Sequence, residues 1–460
     1  MMKKIRKVLL VFGVITGILG STFAASAEEI SVSHSENEEQ LQKAAAKAGE
    51  ESKIDSLRIA DVELVSDGIV TGETYPGVTF DNENNILTLN NADIKMKPEP
   101  IVEGSYLVKP VLEISKEMFD SGDAVEINLV GHNRVSYTEE ISSGMTAGCM
   151  IDISYGEATF TGEGSLDIDC GLNVAGAIEF WGNSGNYLTV ESGQINITSD
   201  MTPERGFGGI TLSTGNGFMM YSGELNIKGE AVNGVPSQFR GIYTYNPSKY
   251  GIHILGGTVN IEGPDYCSLT QWGMDSQCGD MTFRNANVKI KLGDAYGASF
   301  ALLCGNRDND AEEVYPGKIT VENARVECVT GSADQTTYSS YFFDLINKEN
   351  LHFYVGDNVA RKEVSFEEAF EWGGHWYYAD RYESIYRCFT ISSDELEFDV
   401  IPGDINGDAS VDLSDLMLCL HHVSGSDNLT GDSLLAADLD GNGIVDLADL
   451  MQLLHQVSGS

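Results

Sequence analysis

Positive charge is what this chain has least of. It sets 28 Lys and Arg against 70 Asp and Glu, for a formal net charge of −42. A surface of that sign repels phosphate backbones and anionic lipid headgroups, so nucleic acid and membrane surfaces are excluded as partners, while cations are attracted. Cysteine is present but unclustered. The eight positions (Cys149, Cys170, Cys267, Cys278, Cys304, Cys328, Cys388 and Cys419) include no CxxC and no dense spacing. That favours small apolar core fillers over a disulfide framework, with Cys267 and Cys278 the one pair worth considering for a bridge. Long apolar runs are missing too: nothing beyond the N-terminus reaches the ~18 residues of a membrane span. Also absent are GxSxG, HExxH and a P-loop, and with them the commonest signatures of nucleophilic, zinc and nucleotide chemistry.

What is there begins with a leader. Lys3, Lys4, Arg6 and Lys7 precede an apolar run from Val8 to Leu19, and Ala25-Ser26-Ala27 offers a small-residue cleavage site. This plan predicts a secretory signal over residues 1–27, too short and wrongly flanked for a membrane anchor, and hence an extracellular protein. Residues 28–53 are polar, charged and Ala-rich, which reads as a solvated spacer. The remainder is long enough for two or three domains.

From 54 to 345 short strand-like phrases recur between Gly, Asn and Ser. One edge reads GSLDI, GQINI, GELNI, GTVNI, NANVKI and NARVEC, ending at Ile168, Ile197, Ile227, Ile261, Ile290 and Cys328. A second edge reads MIDI (150–153), AIEF (177–180), GITL (209–212), GIYT (241–244) and SLTQ (268–271), and a third lies between them. Strands alone at a period of roughly 30 residues point to a solenoid, because one coil cannot bury its apolar side until another stacks on it. Alternation places Leu166/Ile168, Ile195/Ile197, Leu225/Ile227 and Val259/Ile261 inward. A β-sandwich would not hold one motif in phase so many times. The expected fold is therefore mainly β, a right-handed parallel β-helix, followed by a small all-α Ca-binding domain.

The stretch LRIADVELVSDGIVTGETYPGVTFDNENNILTLNNADIK (57–95) resembles the opening unit of secreted bacterial β-helix proteins, several of them carbohydrate-binding. The resemblance spans most of 54–345, but its motifs are structural, so it implies a fold more than an activity. Residues 346–400 lose the repeat and gain aromatics, as in FEWGGHWYYADRYESIYRCF, which reads as a cap over an open β-helix end or as a ligand-binding appendage.

The tail, 402–460, is the most specific part. Counting from Asp404, side-chain oxygens fall at positions 1, 3, 5, 9 and 12 as Asp404, Asn406, Asp408, Asp412 and Asp415, and Ser410 offers a carbonyl at position 7. The second copy holds Asp438, Asp440, Asn442, Asp446 and Asp449, with Ile444 at position 7. Six or more oxygens on a 12-residue loop suit Ca²⁺, one ion per loop and two in all. Position 12 is Asp in both loops, position 6 is Ala409 in one and Gly443 in the other, and no helix-forming segment precedes the first loop. These departures from an EF-hand, with the near-duplicates DLSDLMLCLHHVSG and DLADLMQLLHQVSG, resemble a type I dockerin. That resemblance implies two Ca²⁺-holding loop–helix repeats that dock on a cohesin domain of a scaffoldin. It also implies that Leu413, Ser414, Leu447 and Ala448 choose the cohesin. The expected core of the tail is Leu416, Leu420, Leu450 and Leu454, with Cys419 beside them and His421 and His455 on the surface.

In the β region, outward positions Asp167, Asn196, Asn226, Asn260 and Lys289 form a polar column: a solvated face, a hydrogen-bonded ladder, or part of a saccharide groove. Trp181, Ser213, Tyr245 and Trp272 stand three residues beyond the inward apolar position of the second edge. The aromatics Trp181, Tyr245 and Trp272 are candidates for stacking on sugar rings, or else cover a corner of the core. Pectate lyases, polygalacturonases and pectin methylesterases share the β-helix fold. None of the Asn-Thr-Asp, Gly-His-Gly or Arg-Ile-Lys phrases of polygalacturonases occurs, and no clustered Asp pair stands on consecutive coils of one face. Together these features predict a secreted component of a cellulosome-type complex. Its β-helix binds plant cell-wall polysaccharide or surface partners, or alternatively acts as a polysaccharide lyase, esterase or hydrolase.

Overall fold

The computed structural model of the chain describes residues 47–458 except 103–104, 118–122, 143, 183–184, 203–205, 214, 233, 245–249, 277–278, 297, 305–316, 332–339, 343, 357–359, 377–378 and 385. The signal over 1–27, residues 28–46 of the spacer, Tyr245 and Cys278 lie outside the described residues. The chain is mainly β, with parallel sheets and a helical C-terminal tail.

Three sheets of 13, 10 and 11 strands carry the β region. The chain enters the first at Leu112–Ser115, crosses to the second at Ala124–Val130 and to the third at His132–Tyr137, then returns to the first at Ile151–Ser154. Among the described residues this circuit is completed seven times, the last ending at Arg325–Val329. Each strand pairs in parallel with its counterpart one circuit later. Thus Ile168 stands opposite Ile197, Ile197 opposite Ile227, then Ile261, Ile290 and Cys328. The companion row runs Leu166, Ile195, Leu225, Val259, Val288, Val326 in the same register. All of these side chains are buried in one continuous core. The period-2 alternation that predicts this packing is enforced by it, since a one-residue slip would turn the whole row to solvent.

The corner between the second and third sheets explains the recurrent Gly and Asn. Gly193, Gly223 and Gly257 sit there with φ of 87°, 88° and 83°, and Asn91, Asn285 and Asn323 take the same corner at 50°, 49° and 47°. Left-handed backbone admits Gly freely and Asn better than other side chains, so either residue serves at this corner. A different constraint acts at Gly241, where an added Cβ would lie 2.7 Å from Ile261 Cγ2 and 2.4 Å from the Gly273 carbonyl. The lack of a side chain lets the first sheet close against the third.

The outward column Asp167, Asn196, Asn226 and Asn260 is a ladder. Each Asn Nδ2 donates to the Oδ1 of the residue one circuit earlier, at 2.7, 2.8 and 2.8 Å. Of the three readings open from sequence, the hydrogen-bonded one describes these residues. Antiparallel strands end the parallel ladders at both ends. Ser56–Ile59 runs antiparallel to Leu112–Ser115, and Cys388–Ser392 runs antiparallel to Arg325–Val329. Beneath the latter, Phe353, Phe366, Phe370 and Phe389 meet edge to face or tilted, 5.3–5.9 Å apart. The seven described cysteines are buried, Cys267 included.

Candidate functional site

In the tail, each 12-residue loop runs directly into a helix, Leu413–Val423 in the first repeat and Leu447–Ser458 in the second. The two loops match almost bond for bond. Asp404 accepts from the Asp408 and Ala409 amides, and Asp438 accepts from Asn442 and Gly443. Asn406 Oδ1 accepts from the amide of Asp408, as Asp440 does from that of Asn442. The position-12 carboxylates are fully buried. Asp415 accepts from the amides of Ile405, Asn406 and Asp412, and Asp449 from those of Leu439, Asp440 and Asp446. Asp412 and Asp415 also cap the first helix, each side chain accepting a backbone N–H of the other's turn. The acids therefore close the loop and start the helix with the same atoms.

Electrostatics follows from this packing. Burial raises the Asp404 carboxyl against the pull of two amides, with Asp415 and Asp408 adding to the rise. The Ser414 hydroxyl and amide hold Asp412 below its ordinary value. In the second loop, carboxylate oxygens of Asp438, Asp440 and Asp449 lie within 4.8 Å of one another. An all-oxygen donor set at this spacing fits a hard divalent cation. At position 6, Ala409 and Gly443 both take left-handed backbone, at φ 66° and 86°, so the missing glycine in the first loop did not change the turn.

The helices pack on each other through a core separate from that of the β region: Cys419 and Leu453 are buried with Ile405, Ala436, Ala437 and Val445, and Leu416 and Leu450 pack against them. Leu420 and Leu454 correct the expected core, since both are exposed. At ~100° per residue, Leu420 turns away from the Asp415–Cys419 side and lies within about 60° of Leu413 and Met417. The result is one exposed apolar face per helix, Leu413, Met417 and Leu420 on the first and Leu447, Met451 and Leu454 on the second. Ser414 and Ala448 are exposed beside them, as are His421 and His455. The Met417/Met451 pair was missed in the sequence, although the repeat places both methionines at matched positions.

The first sheet carries a second group on its outer face. Register puts Glu113, Asp152 and Glu179 side by side on three consecutive circuits, continued by Thr211 and Tyr243. The row mixes Glu and Asp, so a search for paired Asp on consecutive coils does not find it. The signal was the acid flanked by apolar residues in LEIS, MIDIS and AIEF. Arg58 pairs with Glu113 at 2.9 Å. Burial pushes Asp152 up to about 6, opposed by the Ser154 hydroxyl and reinforced by Glu179 and Glu113, and burial also raises Glu179.

The aromatic column divides. Thr244 pairs with Ser276, so the counterpart of GIYT is GMDS (273–276) and not SLTQ. Residues inserted ahead of Thr270 displace the phase, and Trp272 stands in register with Arg240, not with Trp181. Trp181 is 49% exposed at the end of its strand. The Arg240 guanidinium lies 4.2 Å from the Tyr243 ring centre and 4.4 Å from that of Trp272. Between Trp181 and this stack lies a notch of about 370 Å³.

Residues 402–458 match the family model of the dockerin type I domain. No curated protein and no solved structure matches the chain. Among the described residues no helix is long and apolar enough to cross a membrane.

Proposed function

We propose that this chain is a secreted component of a cellulosome-type assembly whose tail docks on a scaffoldin cohesin and carries a glycan-binding β domain. A dockerin type I domain implies a cohesin partner, and the observation that carries the docking reading here is the duplicated apolar face. Three large apolar side chains stand exposed at matched positions on two helices, in a domain whose own core is filled without them. Exposed apolar patches of this kind mark protein interfaces. Leu413 and Leu447 belong to those faces, Ser414 and Ala448 border them, and the four select among cohesins.

Each loop takes one Ca²⁺: the first through Asp404, Asn406, Asp408, the Ser410 carbonyl, Asp412 and Asp415, the second through Asp438, Asp440, Asn442, the Ile444 carbonyl, Asp446 and Asp449. The ion neutralises the clustered carboxylates and fixes the turn from which each helix starts. Residues 54–345 are read as a right-handed parallel β-helix capped by 346–400, a reading supported by the one-circuit parallel register of all three sheets. A second reading, a polysaccharide-degrading β-helix, is favoured by one observation, the Glu113–Asp152–Glu179 row, because glycosidases work with paired carboxyls.

The deciding experiment captures the full chain on immobilised type I cohesins in Ca²⁺ and again in EGTA. Capture in Ca²⁺ that EGTA abolishes is expected. Capture by none of a broad cohesin panel, or capture indifferent to chelation, overturns the docking reading. Release of reducing or unsaturated ends from plant polysaccharide by the same preparation would replace the binding reading with the catalytic one.

A further inference from the structure

We propose that the notch on the outer face of the first sheet is a saccharide site, in which a pyranose ring of a neutral polysaccharide lies against Trp181. The proposal rests on the glycan-binding reading of the β domain, and it gives that reading a place and a ligand class.

The notch is made by a change of residue size along one row. Gly176, Gly208, Arg240 and Trp272 stand in register on successive circuits. Two glycines leave the floor open, and the next two circuits raise a wall, in which Arg240 lies over the Tyr243 and Trp272 rings. Opposite the wall stands Trp181, half exposed, its indole N–H turned to Glu179 Oε2 at 3.4 Å. That contact holds the edge of the ring, and about half of the residue stays exposed. A space of about 370 Å³ suits one or two sugar rings and is far too small for a folded partner.

The lining supplies what a pyranose needs. Its C–H face meets an indole, which offers a large apolar surface with a negative quadrupole. Its hydroxyls meet a carboxylate acceptor at Glu179 and hydroxyls at Thr211 and Ser213, which both donate and accept.

Charge narrows the class. Glu179 is the near end of the carboxylate row that continues through Asp152 and Glu113, whereas Arg240 is the one cation among the described lining residues. Arg58, the cation at the far end, is already paired with Glu113. A uronate ring would bring its own carboxylate into this row and be repelled, an effect strengthened where the groups are partly out of water. Glucan, xylan or mannan backbones carry no such charge. The structure therefore assigns the site to neutral chains, not to pectate.

Affinity electrophoresis of the full chain tests this in gels containing mixed-linkage β-glucan, xylan, galactomannan or polygalacturonate, with Trp181→Ala and Trp181→Phe alongside. Retardation by at least one neutral polysaccharide and none by polygalacturonate is expected. Trp181→Ala should weaken it about tenfold, and Trp181→Phe, which keeps an aromatic face, should retain most of it. Cohesin capture and far-UV circular dichroism of both variants should match the wild type. Unchanged glycan retardation in Trp181→Ala overturns this site and leaves glycan binding by the domain standing. Equal or stronger retardation by polygalacturonate overturns the neutral class. Retardation by no polysaccharide overturns the site together with the binding reading, and leaves cohesin docking untouched.

Discussion

Asp152 shows how much a single residue's environment decides. It stands between Glu113 and Glu179 on neighbouring strands, and burial pushes its carboxyl up to about 6. In the unfolded chain an Asp titrates near ~3.9. Between those two values the native protein holds a proton that the unfolded chain has released, so stability falls as pH rises through the window from about 4 to 6. Near pH 4 the group costs nothing, and above pH 6 it withholds roughly 2–3 kcal/mol of stability. Asp152→Asn should abolish that slope. The variant is expected to melt with the wild type near pH 4 and several degrees above it at pH 7, read by circular dichroism in the β-sheet band. Equal melting at both pH values would mean that solvent or a neighbouring group relieves Asp152. The same residue marks a limit of reading by neighbourhood in sequence. Glu113, Asp152 and Glu179 are far apart along the chain, and only the circuit length makes them neighbours.

At the scale of elements, the stacking was legible because two independent signals agree. Apolar alternation names the inward rows, and Gly or Asn before each third-sheet strand marks the left-handed corner that restarts the coil. Both survive in the structure without a slip from Leu166 to Val326. The first sheet was harder to phase. Its inward row turns polar at Thr244 and Ser276, and the residues inserted before Thr270 remove the apolar cue, so Trp272 was aligned with the wrong partner. In the tail, the loop–helix repeat is legible in the sequence, whereas the burial of its leucines is not, since Leu420 and Leu454 are exposed. A helix with apolar residues on more than one side gives no sign of which side faces its partner. The glycines of the first sheet give a test of how tightly its elements close. At Gly241 a methyl group would press on the Gly273 carbonyl, which belongs to the sheet and cannot yield. Gly241→Ala should therefore cost about 2–3 kcal/mol, seen as a lower urea midpoint of the β transition. A midpoint unchanged from wild type would show that the first and third sheets can part at that point.

For the whole molecule, the decisive feature is that the β region and the tail have separate apolar cores, built from different residues. In the first, each circuit stacks on the next in parallel register, so its unfolding is expected to propagate along the stack. The tail core is small, and small cores are marginal without added constraint. Its loops also bring carboxylates together in a chain that already carries a net charge of −42. That repulsion opposes the very turns from which the two helices start, so the proposed Ca²⁺ would stabilise the tail and leave the β region unaffected. Scanning calorimetry of the full chain should accordingly show two transitions in Ca²⁺. EGTA should remove or strongly lower the one with the smaller enthalpy and leave the larger within about 2 °C, the size of shift expected from less than ~1 kcal/mol in a large domain. The helical signal near 222 nm should fall in step with the smaller transition, and cohesin capture with it. A single transition that moves as a whole on chelation would show that the two cores are energetically one, and that the tail's metal stabilises its cargo as well as its dock.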